Sequence, residues 1–226
     1  MAAATDTPSV ILRRRRRRRD KEHSRRALLR AAFELLAEGR RVTTVEVTRR
    51  AGLAQSSFYA HFNDADECAL AAVRDVVRRI EEYSSERFLR FPPTDLTGLE
   101  AHLVRMLGDK DIGDTNPVFN RFKHDPGPIG DVVRQHLGAM RASLLEDLWK
   151  LAVIAGVSAE HYGEFAIQAD LIVGTIVHAT SAVREGRYPD VNQLARVMAR
   201  NFWATNARTI RACGGDPRRL REAFPA

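Results

Sequence analysis

Apolar side chains recur at helical spacing along most of the chain, and no stretch alternates with the two-residue period of a strand. Leu28, Ala31, Ala32, Leu35 and Leu36 share one face, with Arg25, Arg26, Arg30 and Glu34 between them. Ser24 suits the N-cap of that helix, and Gly39 its stop. A short helix over 44–50 follows, capped by Thr43 or Thr44. Ala51, Gly52 and Leu53 then break the chain, with Gly52 fit for a positive φ. A third helix, 55–62, stops at Asn63 and Asp64. Asp66 and Glu67 open a long helix to about residue 88, complementing its dipole. Beyond Pro92 and Pro93 the pattern predicts helices over 96–108, 116–123, 128–153, 158–185 and 190–213, with Ser158 and Asp190 as caps. The predicted fold class is all-α.

Charge changes this picture by breaking the chain into unequal parts. The 226 residues carry a formal net charge of +7. Residues 1–62 hold 15 basic and 6 acidic side chains, a balance of +9, and the remainder holds 21 and 23, a balance of −2. The excess points to a polyanionic partner for the N-terminal quarter. Arg13, Arg14, Arg15, Arg16, Arg17, Arg18 and Arg19 form an unbroken block whose self-repulsion predicts an extended, disordered arm over 1–23. That block could open a signal peptide, but charged residues 20–26 follow where an apolar stretch is needed. The longest run of strictly apolar residues and glycine, 151–157, is far short of the roughly 20 residues of a membrane span. Two cysteines, Cys68 and Cys213, exclude a CxxC site and fit a reducing cytoplasm.

The informative stretch is 42–70. Two short helices joined by a three-residue turn containing glycine predict a helix-turn-helix, with Val45 and Val47 meeting Leu53, Phe58 and Phe62 in a small core. Thr43-Thr44-Val45, Ala51-Gly52-Leu53 and Ser57-Phe58-Tyr59-Ala60-His61-Phe62 closely resemble the DNA-binding signature of the TetR-type family of bacterial repressors. The resemblance is carried by residues 25–70. It implies an N-terminal three-helix DNA-binding domain, 24–65, and a helical ligand-sensing and dimerisation domain, 66–226. It also implies a homodimer on palindromic double-stranded DNA. Gln55, Ser56 and Ser57 would face base edges or nearby phosphates, Tyr59 and His61 would hydrogen-bond phosphates, and Thr43 and Thr44 would meet another at a helix start. Surface positions beside a core aromatic are the other reading of Tyr59 and His61.

Three positions depart from the family pattern. Ala54 replaces a frequent Ser cap, Thr48 a small Ala at the helix contact, and Ala65 a phosphate-binding Lys. The arginine arm is a candidate replacement for the missing cation, tracking the backbone or entering a minor groove; a merely solvated tail is the alternative. Ala54, Ser57-Phe58-Tyr59 and the acidic run 64–67 are also similar to a subgroup that represses unsaturated fatty-acid synthesis, which tilts the expected effector toward fatty acyl chains.

In the second half, Leu103, Met106, Leu107, Phe119, Phe122, Trp149, Ile172, Ile176 and His178 are candidate pocket residues, each of which also fits an ordinary core. Phe165, Ala169, Ile172, Ile176, Ala179 and Val183 form one apolar face, and Leu194, Val197, Met198, Phe202 and Thr205 another; with Gly174 easing close approach, they are the expected dimer interface. The proline-rich turns around 116–117 and 124–128 read as a rigid connector or as a gate near the pocket.

No HExxH, GxSxG, P-loop or GxGxxG motif is present, so no catalytic residue or cofactor is expected. His161 and Glu164 stand one helical turn apart, a spacing that can bind metal, but the sequence indicates no third ligand, and no metal is expected. The leading expectation is a cytoplasmic, ligand-responsive DNA-binding dimer without a membrane partner. A sequence-nonspecific DNA binder driven by the arginine arm, and a helical lipid or small-molecule carrier, remain open.

Overall fold

The structure, a computed structural model, describes residues 8–84 and 95–224, without the side chains of 8–18, 82–84, 110 and 111. Every regular element among the described residues is helical. Compactness divides the chain into two units, between Asp75 and Val76, within helix α4.

The first unit contains α1 (Pro8–Ala37), α2 (Thr44–Ala51), α3 (Gln55–Tyr59) and the start of α4 (Ala65–Ser84). Helix α1 begins well before Ser24, so the backbone of Arg13 to Arg19 is helical rather than extended. Arginine is a good helix former, and a run joined to an established helix avoids the cost of nucleation. Ser24 accordingly is no N-cap; its hydroxyl donates to the Asp20 carbonyl one turn back, at 2.9 Å. The rest of the expected arm, residues 1–7, lies outside the described residues, as do the side chains of Arg13 to Arg18. The stretch from 85 to the expected helix end at 88 does so too.

Leu28, Leu35, Val47 and Phe58 are fully buried and make the core of this unit. Val45 is not part of it: its side chain is 57% exposed, because a helix as short as α2 can turn only one of two residues spaced by two toward α1. Arg50 closes the α1–α2 contact by donating to both carboxylate oxygens of Glu38, at 2.6 and 2.9 Å. Glu46 similarly takes Arg40 and Arg49.

The second unit contains α5 (Leu96–Gly108), α6 (Lys110–Gly113), α7 (Thr115–Phe122), α8 (Pro128–Ile154), a single 3-10 turn (Ala159–His161), α9 (Tyr162–Arg184), α10 (Val191–Ala212) and α11 (Arg218–Ala223). Asp95 and Asp190 cap α5 and α10 by accepting from the backbone N–H of Gly98 and Gln193. Pro128 takes the first turn of α8, where a missing N–H costs nothing. Two apolar cores result. Leu144, Leu148, Leu151, Phe165, Ala169 and Ile210 join α8, α9 and α10; Leu99, Leu103, Leu107, Ala179, Ala195 and Ala199 join α5, α9 and α10. Residues 116 and 117 lie in the first turn of α7 rather than in a turn between helices, and that helix is tied to α9: the Asn116 amide donates to the Val177 carbonyl at 3.0 Å and to the Thr180 hydroxyl, and Arg184 pairs with Asp114 at 2.9 Å.

Candidate nucleic-acid interface and ligand cavity

Helices α2 and α3 form a helix-turn-helix whose geometry follows from a few residues. Thr43 caps α2 by accepting from the Glu46 N–H at 3.3 Å. Gly52 ends it with φ +66°, a left-handed conformation that a side chain would strain. Thr48, buried at the helix contact, donates its hydroxyl to the Thr44 carbonyl at 2.8 Å. That bond satisfies its one donor within α2, so a polar residue fits the helix contact without an orphaned group. Ala54 opens α3 with no side-chain cap. The short helix is held instead by Phe58, whose ring lies 5.7 Å from that of Phe62.

This core leaves Gln55, Ser56 and Tyr59 exposed on α3, while Ser57, His61, Thr43 and Thr44 are half-buried. Tyr59 keeps 61% of its surface in water yet packs edge-on against Phe58, which aims its hydroxyl outward on a fixed base. The α3 surface therefore presents uncharged donors and acceptors. The cations come from α1. Lys21 and Arg25 stand close enough to His61 to join burial, the larger cause, in holding its imidazole pKa below the ordinary value. Arg25 also lies over the Phe62 ring at 5.3 Å. Neither Lys21 nor Arg25 is a candidate from the sequence: Lys21 joins this surface only through the upstream extension of α1, and Arg25 only through the packing of α1 beside His61 and Phe62. The start of α4 is capped by Asp64, which accepts from the Glu67 N–H at 2.7 Å, while Glu67 accepts from the Asn63 N–H at 2.7 Å.

The second unit holds a half-open groove of about 290 Å³ between α5, α9 and α10. Of the candidate pocket residues, Leu103, Ile172 and Ile176 line it. The other six do not. Leu107 and Phe119 are buried in packing, Phe119 against the His136 ring at 5.5 Å. Trp149 packs edge-on against Tyr162 and Phe165. Met106 supports the α5 core, Phe122 is half-buried beneath the Arg121 guanidinium, and His178 is exposed. The groove's other walls include Gln168, Leu171, Thr175, Met198, Asn201 and Phe202. The amide of Gln168 is only 4% exposed, and neither its nitrogen nor its oxygen has a hydrogen-bond partner among the described residues.

The expected dimer residues also separate. Phe165, Ala169 and Ala179 are buried inside their own chain and present no surface to a second one. Gly174 and Val197 are exposed, and Val183, Leu194, Met198 and Phe202 half-buried. The outward apolar positions of α9 are instead Ile167, 62% exposed, and Leu171, 66% exposed. A helix apolar on all sides does not reveal which stripe faces inward. By length and composition alone, residues 159–184 meet the criterion for a membrane span, with mean hydropathy 1.4 over the best window.

No protein-family model matches the chain. Two solved structures share its fold. One is a transcriptional regulator from Rhodococcus sp. Rha1, 21% identical, covering 82% of this chain and 96% of its own, with a TM-score of 0.59. The other is the fatty acid degradation regulator FadR from Bacillus halodurans, 15% identical, covering 80% and 94%, with a TM-score of 0.57. The all-α architecture is thus that of known transcriptional regulators.

Proposed function

We propose that this chain is a ligand-responsive transcriptional regulator, a TetR-type repressor that binds a palindromic operator as a homodimer. The observation that carries the reading is the helix-turn-helix itself. Its short second helix turns Gln55, Ser56 and Tyr59 outward, while Lys21 and Arg25 add positive charge beside His61. Uncharged side chains on a fixed helix read base edges, and cations alongside hold phosphates. The fold shared with two named transcriptional regulators supports it. In this reading the chain is not an enzyme and works in the cytoplasm.

The dimer would form through the outward face of α9 and α10. Ile167, Leu171 and Val197 expose apolar side chains there for a partner to cover, and the charged Asp170 on the same helix favours a protein partner over lipid. The effector would occupy the groove between α5, α9 and α10. Leu99, Leu103, Ile172 and Phe202 suit an alkyl chain, and among the described residues no Lys, Arg or His lines the groove. An ionised headgroup would therefore stay at the open side, leaving Gln168 to meet an uncharged polar group. Ligand and operator would compete for two conformations, shifted by displacement of α4.

Selection of bound duplexes from a random pool tests the reading. Affinity for the selected sequence is expected to exceed that for random DNA by about 10³ or more. A smaller ratio favours a nonspecific binder held by arginine charge.

A further inference from the structure

His161 and Glu164, one turn apart, acquire in the folded chain the third partner that the sequence did not indicate. Cys213, 49 residues beyond Glu164, closes α10 beside the start of α9. One ligating atom from each of His161, Glu164 and Cys213 lies within 4.8 Å of the other two. We infer that these three side chains form a binding site for a zinc-class divalent cation, clamping the first turn of α9 to the last turn of α10. The inference stands apart from the DNA-binding reading.

The donor set selects the ion. A thiolate favours zinc over magnesium or calcium, an imidazole suits the same choice, and a carboxylate adds the second negative charge that balances a divalent cation. Three protein ligands leave the fourth tetrahedral position to water. With metal–ligand bonds of 2.0–2.3 Å, ligand atoms in such a site stand about 3.5 Å apart, so the cluster closes with side-chain movements of about 1 Å. His161 Nδ1 and Glu164 Oε1 are already 3.4 Å apart.

The surroundings agree with this assignment. The other imidazole nitrogen, Nε2, faces Glu160 at 3.8 Å. A proton on Nε2 directed at that carboxylate leaves the Nδ1 lone pair for the ion, the arrangement that commonly orients histidine ligands. Among the described residues no lysine or arginine pairs with Glu164. The negative end of α10 adjoins the positive end of α9, so the helix dipoles oppose each other at the site and do not repel a cation. Cys213 is 7% exposed, which shields a bound thiolate from solvent, and its thiol proton leaves to water when the ion binds.

Cobalt(II) titration of the full-length chain tests the site by its thiolate-to-metal charge-transfer absorption. The Cys68→Ser variant serves as parent, since Cys68 is the chain's other cysteine. One ion per chain is expected, displaced by zinc. The absorption is expected to vanish in a second chain carrying His161→Ala and Glu164→Ala, both on the outer side of the helix start, with the far-UV circular dichroism unchanged. Glu160→Gln is expected to weaken binding about tenfold. No charge-transfer band in excess cobalt overturns the proposal, as does a band that survives loss of His161 and Glu164.

Discussion

The two units differ in how fully they pair their buried polar groups: the second leaves some unpaired, although it pairs others such as Asn116 and Thr180. In the helix-turn-helix unit, the buried Thr48 satisfies its hydroxyl within its own helix, while the half-buried Arg50 is matched oxygen by oxygen to the exposed Glu38. In the second unit, Gln168, Trp203 and Asn206 carry buried polar atoms with no hydrogen-bond partner among the described residues. An unsatisfied buried polar atom costs about 1–3 kcal/mol, so the second unit gives up stability that the first keeps. The contrast fits their proposed tasks. A template that must hold two or three side chains in register for DNA gains from a fully paired scaffold. A receptor gains from groups left to be completed by a ligand.

The largest expected effect breaks the template. Phe58→Ala removes the fully buried ring that anchors α3 and is expected to cost about 3–5 kcal/mol, read by chemical denaturation, with DNA binding abolished alongside. The next effect has the opposite sign. Gln168→Leu replaces the unpartnered amide with a side chain of similar size and is expected to stabilise the chain by about 1–3 kcal/mol, seen as a higher denaturant midpoint at unchanged slope. Destabilisation would show that the amide already has a partner and would dissolve the contrast.

Legibility in the sequence follows the same division. Helices α2 and α10, the start of α3, the Thr43 cap and the Gly52 turn depend on neighbours in the chain and are readable there, whereas α3 ends at Tyr59 rather than at the expected 62. The start of α1 is not, because the like charges of Arg13 to Arg19 argue for an extended arm while their helix propensity and an adjoining helix argue the other way. Lys21 stays hidden for that reason, and Arg25 because only packing places it beside His61 and Phe62. In the second unit, α9 is apolar around most of its circumference, so periodicity cannot separate Phe165, which is buried, from Leu171, which is exposed. The groove draws on three helices, and only packing shows that Ile172 reaches it and Trp149 does not. Cys213 beside His161 is a meeting of distant segments without any local signal.

Two smaller effects sharpen the division of labour within the first unit. Removing residues 1–19 is expected to flatten the salt dependence of operator binding by about 0.9 in log–log slope for each phosphate that the arginines no longer neutralise, measured by fluorescence anisotropy across salt concentrations. An unchanged slope would place the phosphate-neutralising charge beyond residue 19. His61 gives the smallest effect. Burial, Lys21 and Arg25 lower its pKa in the free chain, and a bound phosphate opposes that shift. Binding then takes up a proton, so operator affinity is expected to rise as pH falls through the window between the two pKa values, below the ordinary 6.5 in the free state. His61→Gln is expected to abolish that rise.

The central claim is that sequence is read by the uncharged surface of α3 while charge supplies affinity from elsewhere. Gln55→Ala tests it most directly, because Gln55 is exposed at the first turn of α3 and its removal leaves every cation and the Phe58 core in place. Duplexes selected by the variant are expected to lose their base preference at one position in each half-site, with the salt slope unchanged. The same base preference at every position, with weaker binding to all DNA alike, would contradict the account.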